Sequence, residues 1–203
     1  MQVPALDDYQ QIQLVKNRIM QYNEEFWNEY TSKNESRYNE EFAKFTRDLA
    51  ISLRCSSVLE IGCGTGIDLR LFPDTFTING VDLNENALKI AKEKMPNANF
   101  SKETITKLPF EDSSIDFVFT HQLLNYLEDD ELEKGISEMY RVAGKYIMNC
   151  EKFSEIEEEI DENHKFRNMY KRWMDYKVRI VSNVDMHEDI DPDKSRFTLL
   201  RKM

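Results

Sequence analysis

Apolar positions along this 203-residue chain change their period several times, and each change marks an element. Tyr9, Ile12, Val15, Ile19, Tyr22, Phe26 and Tyr30 recur at steps of three and four, the stripe of an amphipathic helix about six turns long. After a polar break at residues 31–36, Tyr38, Phe42, Phe45 and Leu49 resume the helical step, so residues 1–53 read as helices ahead of the first strand. At Val58-Leu59-Glu60-Ile61 the pattern becomes a short apolar run that carries one acid and breaks into Gly62-Cys63-Gly64-Thr65-Gly66. A short helix to Leu71 is expected next, stopped by Pro73, because proline disfavours helical dihedrals in the residue before it and cannot continue the hydrogen-bond ladder.

Alternation follows. Residues 76–82 read as a second strand, and a helix capped by Asn84 places Ala87, Leu88, Ala91 and Met95 on its buried side before Pro96 closes it. Residues 99–101 form a weak third strand and 115–120 a fourth. Residues 129–142 are a helix with Asp129, Asp130 and Glu131 in its first turn, and 146–150 a fifth strand. Strands alternating with helices predict a parallel sheet covered on both faces, an α/β fold. Residues 176–184 and 197–202 read as a closing strand pair around the acidic turn 186–193. The acidic run 155–162 is most simply a solvated helix face. Its place after the fifth strand, at the carboxyl edge where open α/β sheets bind ligands, also suits an active-site lid.

Composition narrows the class. With 40% hydrophobic and 32% charged residues the chain is soluble and globular, of a length that suits one domain, and no apolar stretch is long enough to cross a bilayer. Its first residues have neither a basic start nor an apolar core, so a secretory signal is not expected and the cytoplasm is. A net charge of -11 repels polyanions and argues against nucleic acid as a partner. Cys55, Cys63 and Cys150 form no Cys-x-x-Cys pair and have no histidines at ligand spacing, so neither a metal site nor a disulfide framework is expected.

Three alternating glycines after a strand let the backbone take left-handed dihedrals and lie close to a ligand. Asp82, ending the second strand, stands where an open α/β fold places a carboxylate for ribose hydroxyls. The segment Glu60-Ile61-Gly62-Cys63-Gly64-Thr65-Gly66 and the later block Leu108-Pro109-Phe110, leading into a strand that opens near Asp116, resemble the class I S-adenosylmethionine-dependent methyltransferases over roughly residues 55–150. The resemblance implies a Rossmann-like, mostly parallel seven-stranded sheet with an antiparallel C-terminal strand and an N-terminal helical cap. It implies S-adenosyl-L-methionine as cofactor, leaving as S-adenosyl-L-homocysteine, and methyl transfer to an oxygen or nitrogen of a small molecule.

It also implies roles. Gly62, Cys63, Gly64 and Gly66 would border the methionine part of the cofactor, with Glu60 orienting the loop and the ligand's amino group. Asp82 would bind the ribose, Leu83 pack on the adenine, and Thr104 with Ile105 read the adenine edge. Thr120, His121 and Gln122, following the fourth strand, would face the sulfonium. His121 is a candidate general base because imidazole titrates near neutrality, and Glu151 after the fifth strand is a second; Asn125 and Tyr126 lie one turn further on. Trp27 and Tyr30, with the segments 25–34 and 139–147 and Glu151, resemble small methyltransferases of pseudaminic acid and related surface-sugar biosynthesis. That resemblance implies an aromatic cap over the cofactor and a glycan precursor or nucleotide-sugar as acceptor. The acidic run 155–162 would instead draw an amine-bearing acceptor. Two other classes stay open: a NAD-dependent oxidoreductase, whose fingerprint would place its third glycine at the position held by Ile67, and a non-catalytic binding protein on the same scaffold.

Overall fold

The computed structural model describes residues 26–29, 31, 39–161 and 164–203. Contacts divide the chain into two units, Met1–Arg37 and Tyr38–Met203. In the first, residues 26–29 are helical and the rings of Phe26 and Trp27 meet edge to face at 5.0 Å. Tyr30, and nearly all of the stripe beginning at Tyr9, lie outside the described residues.

The second unit opens with α1 (Glu40–Ser52), whose N-cap Asn39 accepts a hydrogen bond from the Glu41 amide. Phe42, Thr46 and Ala50 recur every four residues on its buried side, so this helix, which the sequence reading assigns to the cap, clusters with the sheet. The strands β1 (Ser57–Ile61), β2 (Thr77–Asp82), β3 (Asn99–Lys102), β4 (Ile115–His121) and β5 (Ala143–Glu151) are parallel. The helices α2 (Glu85–Lys94) and α3 (Asp129–Val142) alternate with them. The sheet closes with β8 (Val178–Asp185) and β9 (Arg196–Lys202) in the order β3-β2-β1-β4-β5-β9-β8. β9 runs antiparallel to both its neighbours. This is the expected Rossmann-like α/β sheet of seven strands.

Side chains alternate across each strand, and the sheet therefore divides the core in two. Val58, Phe117, Phe119, Met148 and Cys150 pack with Phe42 of α1 on one face; Leu59, Ile61, Val118, Ile147 and Leu200 pack with Leu132, Ile136 and Met139 of α3 on the other. Both faces are covered, which is why the parallel strands read as nearly continuous apolar runs.

Three elements differ from expectation. The helix after the glycine loop is one 3-10 turn, Ile67–Leu69, not a helix to Leu71. β5 starts at Ala143, directly at the end of α3, and passes so close to Ser113 that a Cβ on Gly144 would stand 2.8 Å from its carbonyl oxygen. The acidic run 155–162 is not a helix face. Its described residues form bends and the short strand β6 (Glu159–Asp161), which pairs with β7 (His164–Lys165). Glu157 is the reason: its carboxylate turns inward to accept from the Asn168 amide at 2.9 Å and from Arg172 at 2.6 Å. Among the described residues no helix is long and apolar enough to cross a membrane.

Candidate functional site

After β1 the backbone takes positive φ at Gly62, Gly64 and Gly66 (76°, 50° and 72°), a region that costs a residue with a Cβ on the order of 1–2 kcal/mol. The amides of Gly62 and Cys63 donate to the Val81 carbonyl at 2.8 and 3.1 Å, and the Gly64 amide donates to Asp82 Oδ2 at 2.8 Å. Asp82 Oδ1 accepts from the Asn84 amide at 2.8 Å, so one carboxylate ties the loop to the start of α2. Burial raises this carboxyl above its usual value against the pull of those amides. The faces of the loop differ. A Cβ at Gly62 would meet Leu123 at 2.9 Å and one at Gly66 would meet Phe100 at 3.1 Å, whereas one at Gly64 would meet nothing within 4 Å. The open side of the loop is therefore at Gly64.

The neighbouring expectations fall as follows. The Cys63 side chain is only 3% exposed, with its thiol pushed up by burial and packed where a Cβ on Gly80 would be. Only its main chain borders the loop. Leu83, next to Asp82, is 62% exposed, an apolar side chain standing in the open. The Thr104 hydroxyl is engaged with Thr106, and the Ile105 side chain is buried against Gly135 of α3. An adenine contact at 104–105 would fall to the main chain.

Thr120 and His121, both expected to face the sulfonium, leave β4 on opposite faces of the sheet, as successive strand residues do. Thr120 is fully buried on the α3 side, donating to Glu151 Oε1 at 2.8 Å and accepting from Asn149 Nδ2 at 2.9 Å. Asn149 Oδ1 in turn accepts from the Trp173 indole at 2.7 Å. Glu151 is 1% exposed and its second oxygen takes the Leu124 amide at 3.0 Å; burial pushes its carboxyl up to about 7. Glu151 thus holds the chain after β4 from below.

His121 lies on the other face. Its Nδ1 is 2.8 Å from Asp68 Oδ2, its ring stacks on Phe42 at 3.7 Å, and its Nε2 is buried without a partner. Burial alone would lower its pKa. The charge and hydrogen bond of Asp68 outweigh it, helped by Asp191 and Glu151, and raise it, favouring imidazolium. Asp68 also stands near enough to Glu60 for its charge to act on that carboxyl. Glu60 is 3% exposed, its Oε2 has no partner, and burial, then Asp68 and Asp82, hold its carboxyl well above the usual range. A buried chain of Glu60, Asp68 and His121 therefore lies beside the glycine loop. Asp68 is the residue the sequence reading missed; its one signal is an acid between apolar Ile67 and Leu69 in a stretch too short for a solvated face.

The segment after β5 is bolted down. Asn125 donates to the carbonyls of Lys152 and Lys165 and accepts from the Lys152 amide at 2.9 Å, while Tyr126 stacks on His164. Gln122, at φ 50°, donates to Asp193. Arg167, 1% exposed, donates to the carbonyls of Leu124 and Leu127 and pairs with Asp129 and Glu157. Glu155 and Glu157 are thus matched by Lys171, Arg167 and Arg172, and the run offers less free negative charge than its composition suggests. Trp27 belongs to the first unit. Among the described residues no group of His, Cys, Asp and Glu is arranged to hold a metal ion.

A mostly parallel sheet in this order, with a glycine loop open at its middle glycine and an acid ending β2, is a fold this chain shares with solved S-adenosylmethionine-dependent methyltransferases. Residues 58–145 match the family profile described as a methyltransferase domain. The ubiquinone/menaquinone biosynthesis C-methyltransferase of Campylobacter jejuni is 31% identical over 97 residues, 43% of this chain. The match spans 40% of that protein's own length. Among solved structures, an S-adenosylmethionine-dependent methyltransferase from Clostridium acetobutylicum aligns with a TM-score of 0.64 at 14% identity, over 81% of this chain and 92% of its own. The magnesium protoporphyrin IX methyltransferase of Synechocystis with bound S-adenosylhomocysteine aligns at 0.60 and 13%, over 79% and 82%.

Proposed function

We propose that this protein is an S-adenosylmethionine-dependent methyltransferase acting on an oxygen or nitrogen of a small molecule in the cytoplasm. The observation that carries this reading is the loop itself: an open face at Gly64, whose amide is held by the Asp82 carboxylate, with exposed Leu83 next to Asp82 and the buried acid Glu60, one oxygen unpartnered, two residues before the loop. Those groups fit a ligand that presents ribose hydroxyls, an adenine and an amino-acid ammonium. S-adenosylmethionine, when bound, would supply a methyl group already activated on a sulfonium.

What remains for the chain is positioning. Asp82 and the three glycines hold the loop, Glu151 fixes the start of the loop after β4, and Asp68 with Phe42 holds His121 on the opposite face. Holding two reactants in line is worth about 7–11 kcal/mol in well-oriented intramolecular reactions. A surface-sugar precursor is the proposed acceptor.

Calorimetric titration with S-adenosylmethionine, S-adenosylhomocysteine and NAD tests the cofactor. Micromolar binding of both sulfur ligands, abolished in Asp82→Ala at a temperature where that variant is folded by circular dichroism, is expected. Binding of NAD alone would overturn the assignment. Mass spectrometry of sugar precursors and small amines after incubation then tests the acceptor, and a protein that binds the cofactor but methylates neither class sinks the acceptor proposal.

A further inference from the structure

Three buried side chains on the α3 side of the sheet donate in one direction, toward a fourth. The Trp173 indole, in the 3-10 turn Trp173–Asp175, donates to Asn149 Oδ1 at 2.7 Å. Asn149 Nδ2 donates to the Thr120 hydroxyl at 2.9 Å, and that hydroxyl donates to Glu151 Oε1 at 2.8 Å. The Leu124 amide takes the other oxygen, Glu151 Oε2, at 3.0 Å. None of the four side chains is more than 1% exposed, so each bond lost leaves a buried polar group unsatisfied.

This arrangement requires a carboxylate at Glu151. A proton on Oε2 would point at the amide hydrogen, and one on Oε1 would force the Thr120 hydroxyl to turn its own hydrogen away while Asn149 already donates to it. Either way one donor is lost. The other end of the chain reaches the glycine loop. Leu123, one residue before the amide that Glu151 holds, covers Gly62 so closely that a Cβ there would stand 2.9 Å from it. Before Leu123, the Gln122 amide donates to the Cys150 carbonyl at 2.9 Å, so the residue that touches the loop is fastened on both sides.

We propose that Trp173, Asn149, Thr120 and Glu151 are positioning residues for the glycine loop: the ionised carboxylate holds the Leu124 amide, seats Leu123 against Gly62 and so sets the loop for its ligand. This rests on the cofactor reading above, which names that ligand. The four side chains act through Leu123 and need no contact with the ligand themselves. Burial pushes the Glu151 carboxyl up to about 7, so the holding form is present above that pH and is lost below it. Charged neighbours are His121, on which Asp68 and Asp191 act in turn, Arg167 on the Leu124 carbonyl, and Arg196 opposite on β9, whose guanidinium lies over Phe153 and against Asp185.

Calorimetric titration with S-adenosylhomocysteine on either side of pH 7 compares wild type with Glu151→Gln, Thr120→Val and Trp173→Phe, each checked for folding by circular dichroism. Glutamine keeps one acceptor oxygen and so mimics the protonated acid. Above 7 wild type is expected to bind at least about fivefold more tightly than Glu151→Gln, the low end of couplings between sites, and equally below it. Thr120→Val and Trp173→Phe each remove one donor from the chain, which stabilises the carboxylate less and moves the rise in affinity to higher pH. Lost packing alone would lower the melting temperature and leave the rise where it is. A wild-type to Glu151→Gln affinity ratio that is constant with pH overturns the proposal. Should Glu151→Gln not fold, the donor variants decide, and a rise at the same pH in both as in wild type overturns it. If no protein binds S-adenosylhomocysteine at any pH, the cofactor reading falls first and takes this proposal with it, whereas tight binding that none of the variants alters removes this proposal alone.

Discussion

A methyl group at Gly62 would land 2.9 Å from Leu123, and one at Gly64 would land in open space, although both residues have positive φ. The two alanine variants should therefore separate stability from binding. Gly64→Ala is expected to cost on the order of 1–2 kcal/mol of stability for the left-handed backbone and to weaken S-adenosylhomocysteine binding, because its methyl stands on the open face. Gly62→Ala adds an overpacking cost of about 1–3 kcal/mol against Leu123. Urea titration measures the first effect and calorimetry the second. Equal destabilisation with unchanged binding in both would show that the open face is not a ligand face. At this scale the sequence was legible where spacing itself carries chemistry, as in the glycines and Asp82. It was silent where a contact joins residues far apart. Nothing in the string around Asp68 tells that its partner is His121, 53 residues later, and the neighbouring letters Thr120 and His121 conceal that their side chains leave the sheet on opposite sides.

Among the elements, the segment after β5 gains its shape from one buried guanidinium. Arg167 satisfies two carbonyls of the 3-10 turn Leu124–Tyr126 and its C-cap Leu127, and balances Asp129 and Glu157. Arg167→Met is expected to cost about 1–3 kcal/mol by leaving the Leu124 and Leu127 carbonyls without their donor. Arg167→Lys should recover little, since an ammonium cannot reach the same fork of acceptors. Thermal melts of the three proteins check this, and a lysine variant as stable as wild type would contradict it. The acidic run misled for the same reason. Glu155, Glu157, Glu158 and Glu159 look alike in sequence, and only Arg167 and Arg172 downstream select Glu157 to turn inward. By contrast, α2, α3 and the parallel strands, apart from the early start of β5, follow from period and caps: Asn84 caps α2 by accepting from the Asn86 and Ala87 amides, and α3 spans Asp129–Val142 as its pattern predicts.

For the whole molecule, Glu151 makes folding depend on pH. Its carboxyl is raised by burial to about 7, so the folded chain holds a proton that the unfolded chain gives up near the ordinary value of 4.5. Stability from this group is complete below 4.5, falls as pH rises through that window and is constant above about 7. Melting curves of wild type against Glu151→Gln should diverge across that interval and run parallel above it. Curves parallel throughout would remove the raised carboxyl.

Strand order carries one more consequence, for the time the chain is being made. β9, residues 196–202, lies between β5 and β8, both of which precede it in sequence. A ribosome therefore delivers the two outer partners before the strand that joins them, and each waits with an unpaired edge. Such edges are where nascent chains aggregate or recruit chaperones. The sheet becomes continuous only after residue 202 has cleared the exit tunnel, so the cofactor loop beside β1 forms on a scaffold that is still split along one seam.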